Sequence, residues 1–291
     1  MTSVTIMIRR LGWILLALFG LVSSASAKSF VWQVEKNGQK AFIGGTIHIL
    51  RPQDRLPDAY QRAYQQSDLI VTEVKGSELT SRSTVMKMTS MGMYQNGDTL
   101  DKHLSPEVFA ELKQFCHENK FPLEPMMTMK PSMVSVTISM GMMMRYGVTA
   151  EGIDMKFLQQ AKRDRKSNQG LESIDQQLNA LFNSGANPDE IIRYTLNDAK
   201  QLDKLMGIMI DGLFNGDVEL FERELLLPMK NSTPEYYDAL IKNRNNNWLS
   251  KIDNLMSTPA VEFILVGGLH LVGDDGVINL LRKKGYSTKQ L

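Results

Sequence analysis

Two of the four histidines in this 291-residue chain stand in almost the same surroundings. Ile43 runs into Gly44, Gly45, Thr46, Ile47 and His48, and Val266 runs into Gly267, Gly268, Leu269 and His270. Each is a Gly-x-x-His after an apolar, strand-like run. Glycines at a strand end let the backbone turn sharply and leave room for a ligand beside it. Neutral imidazole ligates zinc, manganese or iron and accepts a proton near neutral pH. One such histidine alone is more often a satisfied core residue. The repetition makes a shared site the better reading, with both imidazoles projecting from one sheet edge.

Carboxylates supply the rest of a divalent-metal set. Glu73 follows Leu69, Ile70, Val71 and Thr72, so it stands at the end of a buried strand. A carboxylate there needs a charge partner or a metal, because burying it alone costs several kcal/mol. Two histidines and one carboxylate leave open positions for water and substrate. Glu172, after Gly170 and Leu171, closes a short strand in the same manner. It reads as a further ligand, as the base that activates water, or as an acid at the N-terminus of a helix over Ser173 to Leu178. Arg244, in a polar helix rich in asparagine, could clamp a substrate carboxylate or stabilise an oxyanion. Cys116 and His117 are adjacent and point about 100° apart on a helix, so they form no nucleophile–base pair. His103 reads as a surface or cap residue. A Gly-x-Ser-x-Gly elbow, a His-Glu-x-x-His helix and a phosphate-binding Gly-rich loop are all absent from the sequence.

The elements that must position these residues are legible in outline. Phe30 to Val34 alternates, Asn37-Gly38 is a strong two-residue turn, and Ala41 to Ile43 resumes the strand. Pro57 to Gln66 predicts a short helix and Asp68 to Val74 a buried strand. Ser105-Pro106 starts a helix, Pro188 to Asp211 carries one long apolar period, and Asp217 to Leu227 and Pro234 to Leu255 continue the helical run. Val261 to Val266 returns to strand, Val277 to Lys284 to helix, and Tyr286 to Gln290 to a final strand. Gly273 to Gly276 resembles part of a calcium loop but reads better as the turn before that last helix. The expected fold is α/β: a central mixed sheet built from the two β-rich ends, with a long helical middle, roughly 79–256, as a cap lobe of one domain spanning 28–291.

Composition bounds the function. Hydrophobic residues make up 43% and charged ones 22%, with a formal net charge of +1, which excludes a disordered chain and argues against electrostatic capture of nucleic acid. The single cysteine excludes an internal disulfide or a multi-cysteine metal site. Residues 1–27 read as a secretory signal peptide: Arg9 and Arg10, an apolar stretch from Leu11 to Val22, then Ala25-Ser26-Ala27. Twelve apolar residues are too few to span a bilayer of about 30 Å. No later stretch is apolar enough, so the expectation is an exported, periplasmic protein with no membrane span after cleavage. Nineteen methionines are another departure, and twelve of them fall between Met86 and Met144. Flexible thioethers there suggest an adaptable apolar cap or groove rather than a copper-binding methionine box.

In this order of motifs the chain resembles the TraB/GumN group, which includes the Tiki metalloproteases. The ordered set is Gly45-Thr46-Ile47-His48, Pro57 through Asp68 to Glu73, Leu100 to Ser105, Lys130-Pro131, Gly152-Ile153-Asp154, Leu171-Glu172, Arg244-Asn245, Gly267 to Gly276, and Gly285-Tyr286. Ser132 stands where an aromatic usually follows Lys-Pro. The resemblance implies a fold like that of erythromycin esterase and the haem-binding ChaN proteins. For the Tiki branch it also implies divalent-metal-dependent peptide cleavage. By position, His48, Glu73 and His270 would hold a manganese, cobalt or zinc ion, with Glu172 and Arg244 as catalytic candidates. Gly45, Thr46, Asp154, Asn245 and Gly267 would touch substrate or support those ligands. The reading is a metal-dependent hydrolase of peptides or proteins. Its alternatives are a non-catalytic binding protein that sequesters a peptide signal, metal or haem, and a non-peptide esterase.

Overall fold

The opening hairpin consists of β1 (Val31–Lys36) and β2 (Gln39–Thr46). Between them Asn37 and Gly38 both take positive φ, 53° and 79°, the backbone a two-residue turn of matching twist requires. The computed structural model describes residues 28–291 except 48, 49, 52, 80, 146, 149 and 150. The expected signal peptide and His48 therefore lie outside the described residues.

Three further strands run parallel to β2. It pairs with β5 (Glu262–Gly267), β5 with β3 (Leu69–Val74), and β3 with β4 (Ser167–Glu172). On the other side β1 pairs antiparallel with β6 (Ser287–Gln290), giving the order β4-β3-β5-β2-β1-β6. The mixed α/β sheet is thus the expected one, and the helical middle contributes to it by sending back β4. That strand was faint in the sequence because an edge strand buries little: Leu171 is its one buried side chain.

The parallel strands β2, β5, β3 and β4 all present their carboxyl ends at one edge. Parallel pairing aligns Gly45 with Val266 and Thr46 with Gly267, so the strand ends that open the two Gly-x-x-His segments lie side by side. Buried Tyr60, Phe157 and Phe263 pack beneath this layer, with Tyr60 and Phe157 centroids 6.3 Å apart and Phe157 edge-on to Phe263 at 5.4 Å. The Tyr60 hydroxyl donates to the Gly45 carbonyl at 2.6 Å, tying the core to the end of β2.

The helical middle departs from its periodicity in instructive places. The single period over Pro188 to Asp211 is two helices, Pro188–Lys200 and Leu202–Phe214, separated at Gln201 (φ −107°, ψ 14°). The apolar spacing carries across that break and so hides it. Two π-turns, Glu222–Leu226 and Asp238–Lys242, interrupt the later run. The second leads directly into the helix Asn243–Leu255 that carries Arg244. A π-turn shifts which residues share a face, and such turns are frequent at functional positions.

Methionines Met88, Met91 and Met133 pack against a small cluster of Val74, Ile174, Leu178 and Phe182, beside the end of β3. Met86 and Met144 are instead exposed, at 64% and 69%. Cys116 is a buried free thiol whose pKa burial raises. His103 is exposed, stacked on Tyr94 and bonded through Nε2 to Asp98 at 2.7 Å, a local surface arrangement.

Candidate active site

Four of the candidate residues meet at the carboxyl edge of the sheet. Glu73 comes from the end of β3, Glu172 from the end of β4, His270 from the short 3-10 turn Gly268–Leu271 after β5, and Arg244 from the first turn of its helix. Arg244 is the hub. Its Nε donates to Glu172 Oε1 and Oε2 at 3.0 and 3.2 Å, and Nη2 donates to Glu172 Oε1 at 2.5 Å and Glu73 Oε2 at 2.7 Å. Its Nη1 donates to the Leu240 carbonyl at 2.9 Å and to His270 Nε2 at 3.1 Å. The guanidinium is nearly buried and both carboxylates are largely so, which strengthens charge-assisted hydrogen bonds.

The neighbours complete the accounting. Gly267 N–H donates to Glu73 Oε1 at 2.7 Å, and Gln177 Nε2 donates to Glu73 Oε2 at 3.1 Å and Glu172 Oε1 at 3.4 Å. Trp248 Nε1 donates to Glu172 Oε2 at 3.2 Å, and its ring lies 4.9 Å from the Arg244 guanidinium carbon and 4.5 Å from the His270 ring. Burial pushes the Glu172 carboxyl up from its ordinary range, and Glu73 adds to the rise; the Arg244 hydrogen bond and charge pull the other way. Arg244 is held above its ordinary value, the two carboxylates outweighing the burial that opposes them.

The tautomer of His270 follows from Asn245. Asn245 Nδ2 donates to the carbonyls of His270 (3.2 Å) and Asp275 (2.7 Å), so its Oδ1 is the atom facing His270 Nδ1 at 2.6 Å. An oxygen there accepts, so Nδ1 carries the proton and Nε2 keeps its lone pair toward Glu73 and Arg244. Of the other expected residues, Gly45 and Thr46 lie on β2, and Thr46 is buried. Gly267 is in direct contact with Glu73. Asp154 opens the helix Ile153–Asp164, and Ile153 N–H donates to the Ile47 carbonyl at 3.1 Å, which ties that helix to the residue preceding His48.

Neither Gln177 nor Trp248 was singled out in the sequence. Trp248 carried a signal: it lies four residues after Arg244, on the same helix face. Gln177 carried none, since it reaches the site from a helix 104 residues away from Glu73 in sequence.

A divalent ion fits the donors in kind. Imidazole Nε2 of His270 and Oε1 of Glu73 are 3.9 Å apart, a separation that two ligands of one such ion can span at about 2.0–2.2 Å each, provided the Arg244 Nη1 hydrogen bond to Nε2 gives way. Among the described residues no group of three His, Cys, Asp or Glu side chains forms a set by itself, so a complete set needs a donor such as His48.

A mixed sheet whose parallel strands gather an imidazole, two carboxylates and a guanidinium at their carboxyl ends defines an α/β protein with a polar strand-end site. The chain belongs to the TraB/PrgY/gumN family, whose sequence model matches residues 30–290. Among curated proteins it is similar to Metalloprotease TIKI1 of Xenopus tropicalis, 23% identical over 89% of this chain and 60% of that protein. It is also similar to Metalloprotease TIKI2 of Danio rerio (23% identical, 92% and 62% covered) and Metalloprotease TIKI1 of Homo sapiens (22% identical, 90% and 61% covered). The chain therefore spans about three-fifths of the length of these relatives. No solved structure matches it.

Proposed function

We propose that the protein is an exported, periplasmic metal-dependent hydrolase that cleaves peptide or protein substrates. The observation that carries the reading is the meeting of Glu73, Glu172, Arg244 and His270 at one strand-end edge, in a chain similar to proteins named metalloproteases. Among the described residues no helix is long and apolar enough to cross a membrane.

His270, Glu73 and His48 would hold the ion, with manganese, cobalt and zinc as candidates. When bound, a divalent cation supplies Lewis acidity toward a carbonyl oxygen and toward water. The protein's own groups do the rest. Asn245 fixes the His270 ring so that Nε2 faces the site. Glu172 takes a proton at Oε2, whose contacts with Arg244 and Trp248 are the longer ones, and burial raises its appetite for that proton. Arg244 keeps Glu172 and Glu73 in register and offers positive charge to an oxygen on which negative charge develops.

The test is metal content and peptide cleavage for wild type, His48→Ala, His270→Ala and Glu172→Gln. Loss of metal and of turnover in both histidine variants supports the site. Unchanged activity in both sinks it, full cleavage in Glu172→Gln removes Glu172 as the base, and peptide binding with no cleavage in the wild type favours ligand capture without turnover.

A further inference from the structure

The sheet has two edges, and they are treated differently. The β6 edge is four residues long and carries Lys289, a short and charged edge of the kind that discourages pairing. The β4 edge is six residues, Ser167 to Glu172, with no proline or lysine. The Gln169 carbonyl turns inward to β3, where it accepts from the Thr72 hydroxyl at 3.4 Å. By strand alternation the backbone N–H and C=O of Asn168 and Gly170 then turn outward. Among the described residues, no backbone hydrogen bond outside the sheet ladder reaches residues 167–172. Outside this edge runs a groove of about 870 Å³. Residues 168–172 line it together with Lys75 and Glu78 and with Asn247, Lys251 and Asn254 of the Arg244 helix. Its end is Glu172, whose side chain is already in the cluster with Arg244.

We propose that the β4 edge is the substrate-docking strand: an extended peptide segment adds beside β4 as a seventh strand and is led by it into the Glu172–Arg244 end of the sheet. The occupant rests on the hydrolase reading above; the edge itself does not. Unpaired, evenly spaced amide donors and carbonyl acceptors are complementary to an extended backbone and to little else. Six residues of strand match a segment of about 20 Å. Walls of asparagine and oppositely charged side chains take varied side chains without demanding one sequence, so the recognised class is unfolded chain rather than a particular motif.

The experiment is residue-resolved amide exchange on the wild-type protein in EDTA, with and without a millimolar casein digest as the peptide source. The Asn168 and Gly170 amides should slow by about tenfold or more, as amides do on entering a ladder, while Gln169, already turned to β3, stays unchanged. Equal slowing of all three, or slowing of none, overturns the proposal. Slowing that depends on protein concentration without peptide also overturns it, because the partner is then a second copy of this chain. Because no turnover is needed, the two readings separate. Alternating protection with no cleavage in the metal-loaded protein keeps the edge and removes the hydrolase; cleavage without alternating protection does the reverse.

Discussion

Replacing Arg244 with alanine should be the most damaging single change in this protein, and mostly for electrostatic reasons. The guanidinium makes five hydrogen bonds to side chains, four to the Glu73 and Glu172 carboxylates and one to His270, and a further one to a carbonyl. Its removal leaves two largely buried carboxylates facing each other with Gln177, Trp248 and one backbone N–H as their remaining donors. Breaking a buried pair in this way costs about 3–5 kcal/mol, against roughly 0–1 for an exposed one. In a chain of this size that lowers Tm by roughly 6–20 °C. The deficit should depend on pH. A carboxyl whose folded pKa is raised, as that of Glu172 is by burial, contributes full stability below its unfolded pKa and loses it as pH rises through the folded one. Without the opposing guanidinium that rise is larger, so the variant's deficit should be greatest near pH 7–8 and shrink toward pH 4. Urea unfolding at several pH values reads it, and Arg244→Ala/Glu172→Gln should recover part of the loss. A deficit below about 1 kcal/mol that is flat in pH would refute the assignment of Arg244 as the site's charge balance.

Three other outcomes follow from the same structure. Asn245→Ala should cost about 1–3 kcal/mol, from a buried Nδ1–H left without its acceptor and two carbonyls without their donor, and should free the His270 ring, read as a shifted imidazole tautomer ratio by NMR. Asp198, raised to about 6 chiefly by burial, contributes stability that is present below pH 4 and lost as pH rises through 6; Asp198→Asn should therefore remove that slope between pH 4 and 7 and stabilise by about 2–3 kcal/mol at pH 7, seen in thermal melts across pH. Gly45→Ala should destabilise by about 1–3 kcal/mol, because the new Cβ would meet the Phe30 ring at 2.6 Å and the ring is boxed in by Trp32 and Phe221; an unchanged melt would mean the ring can yield.

Much of the architecture is written in local chemistry. Alternation and the Asn37-Gly38 turn specify the hairpin. The unbroken apolar runs of β3 and β5 specify strands covered on both faces, and the glycines before His48 and His270 mark the ends of β2 and β5. These features depend on neighbours one to four residues apart, so the order of residues contains them. Glu73 was legible for the same reason, as an acid where a buried strand ends. The likeness of the two Gly-x-x-His segments suggested that β2 and β5 share one sheet, although the register that aligns Thr46 with Gly267 is a property of the sheet.

The composition of the site was decided elsewhere. Arg244 lies 171 residues from Glu73 and 72 from Glu172, and nothing in the local sequence distinguishes it from a surface arginine. Gln177 enters the cluster from the capped helix after β4, and Asn245 and Trp248 from the helix that follows a π-turn, and where those helices dock has no periodic signature. The clamp that the sequence offers to a substrate carboxylate or an oxyanion is, in the folded chain, first spent on the protein's own Glu172 and Glu73. Residue order determined which chemical groups are available and which strands carry two of them to an edge. Only tertiary structure, through parallel register and the docking of one helix against that edge, determined which charges meet, because burial and Coulomb attraction depend on distance in space and not on separation along the chain.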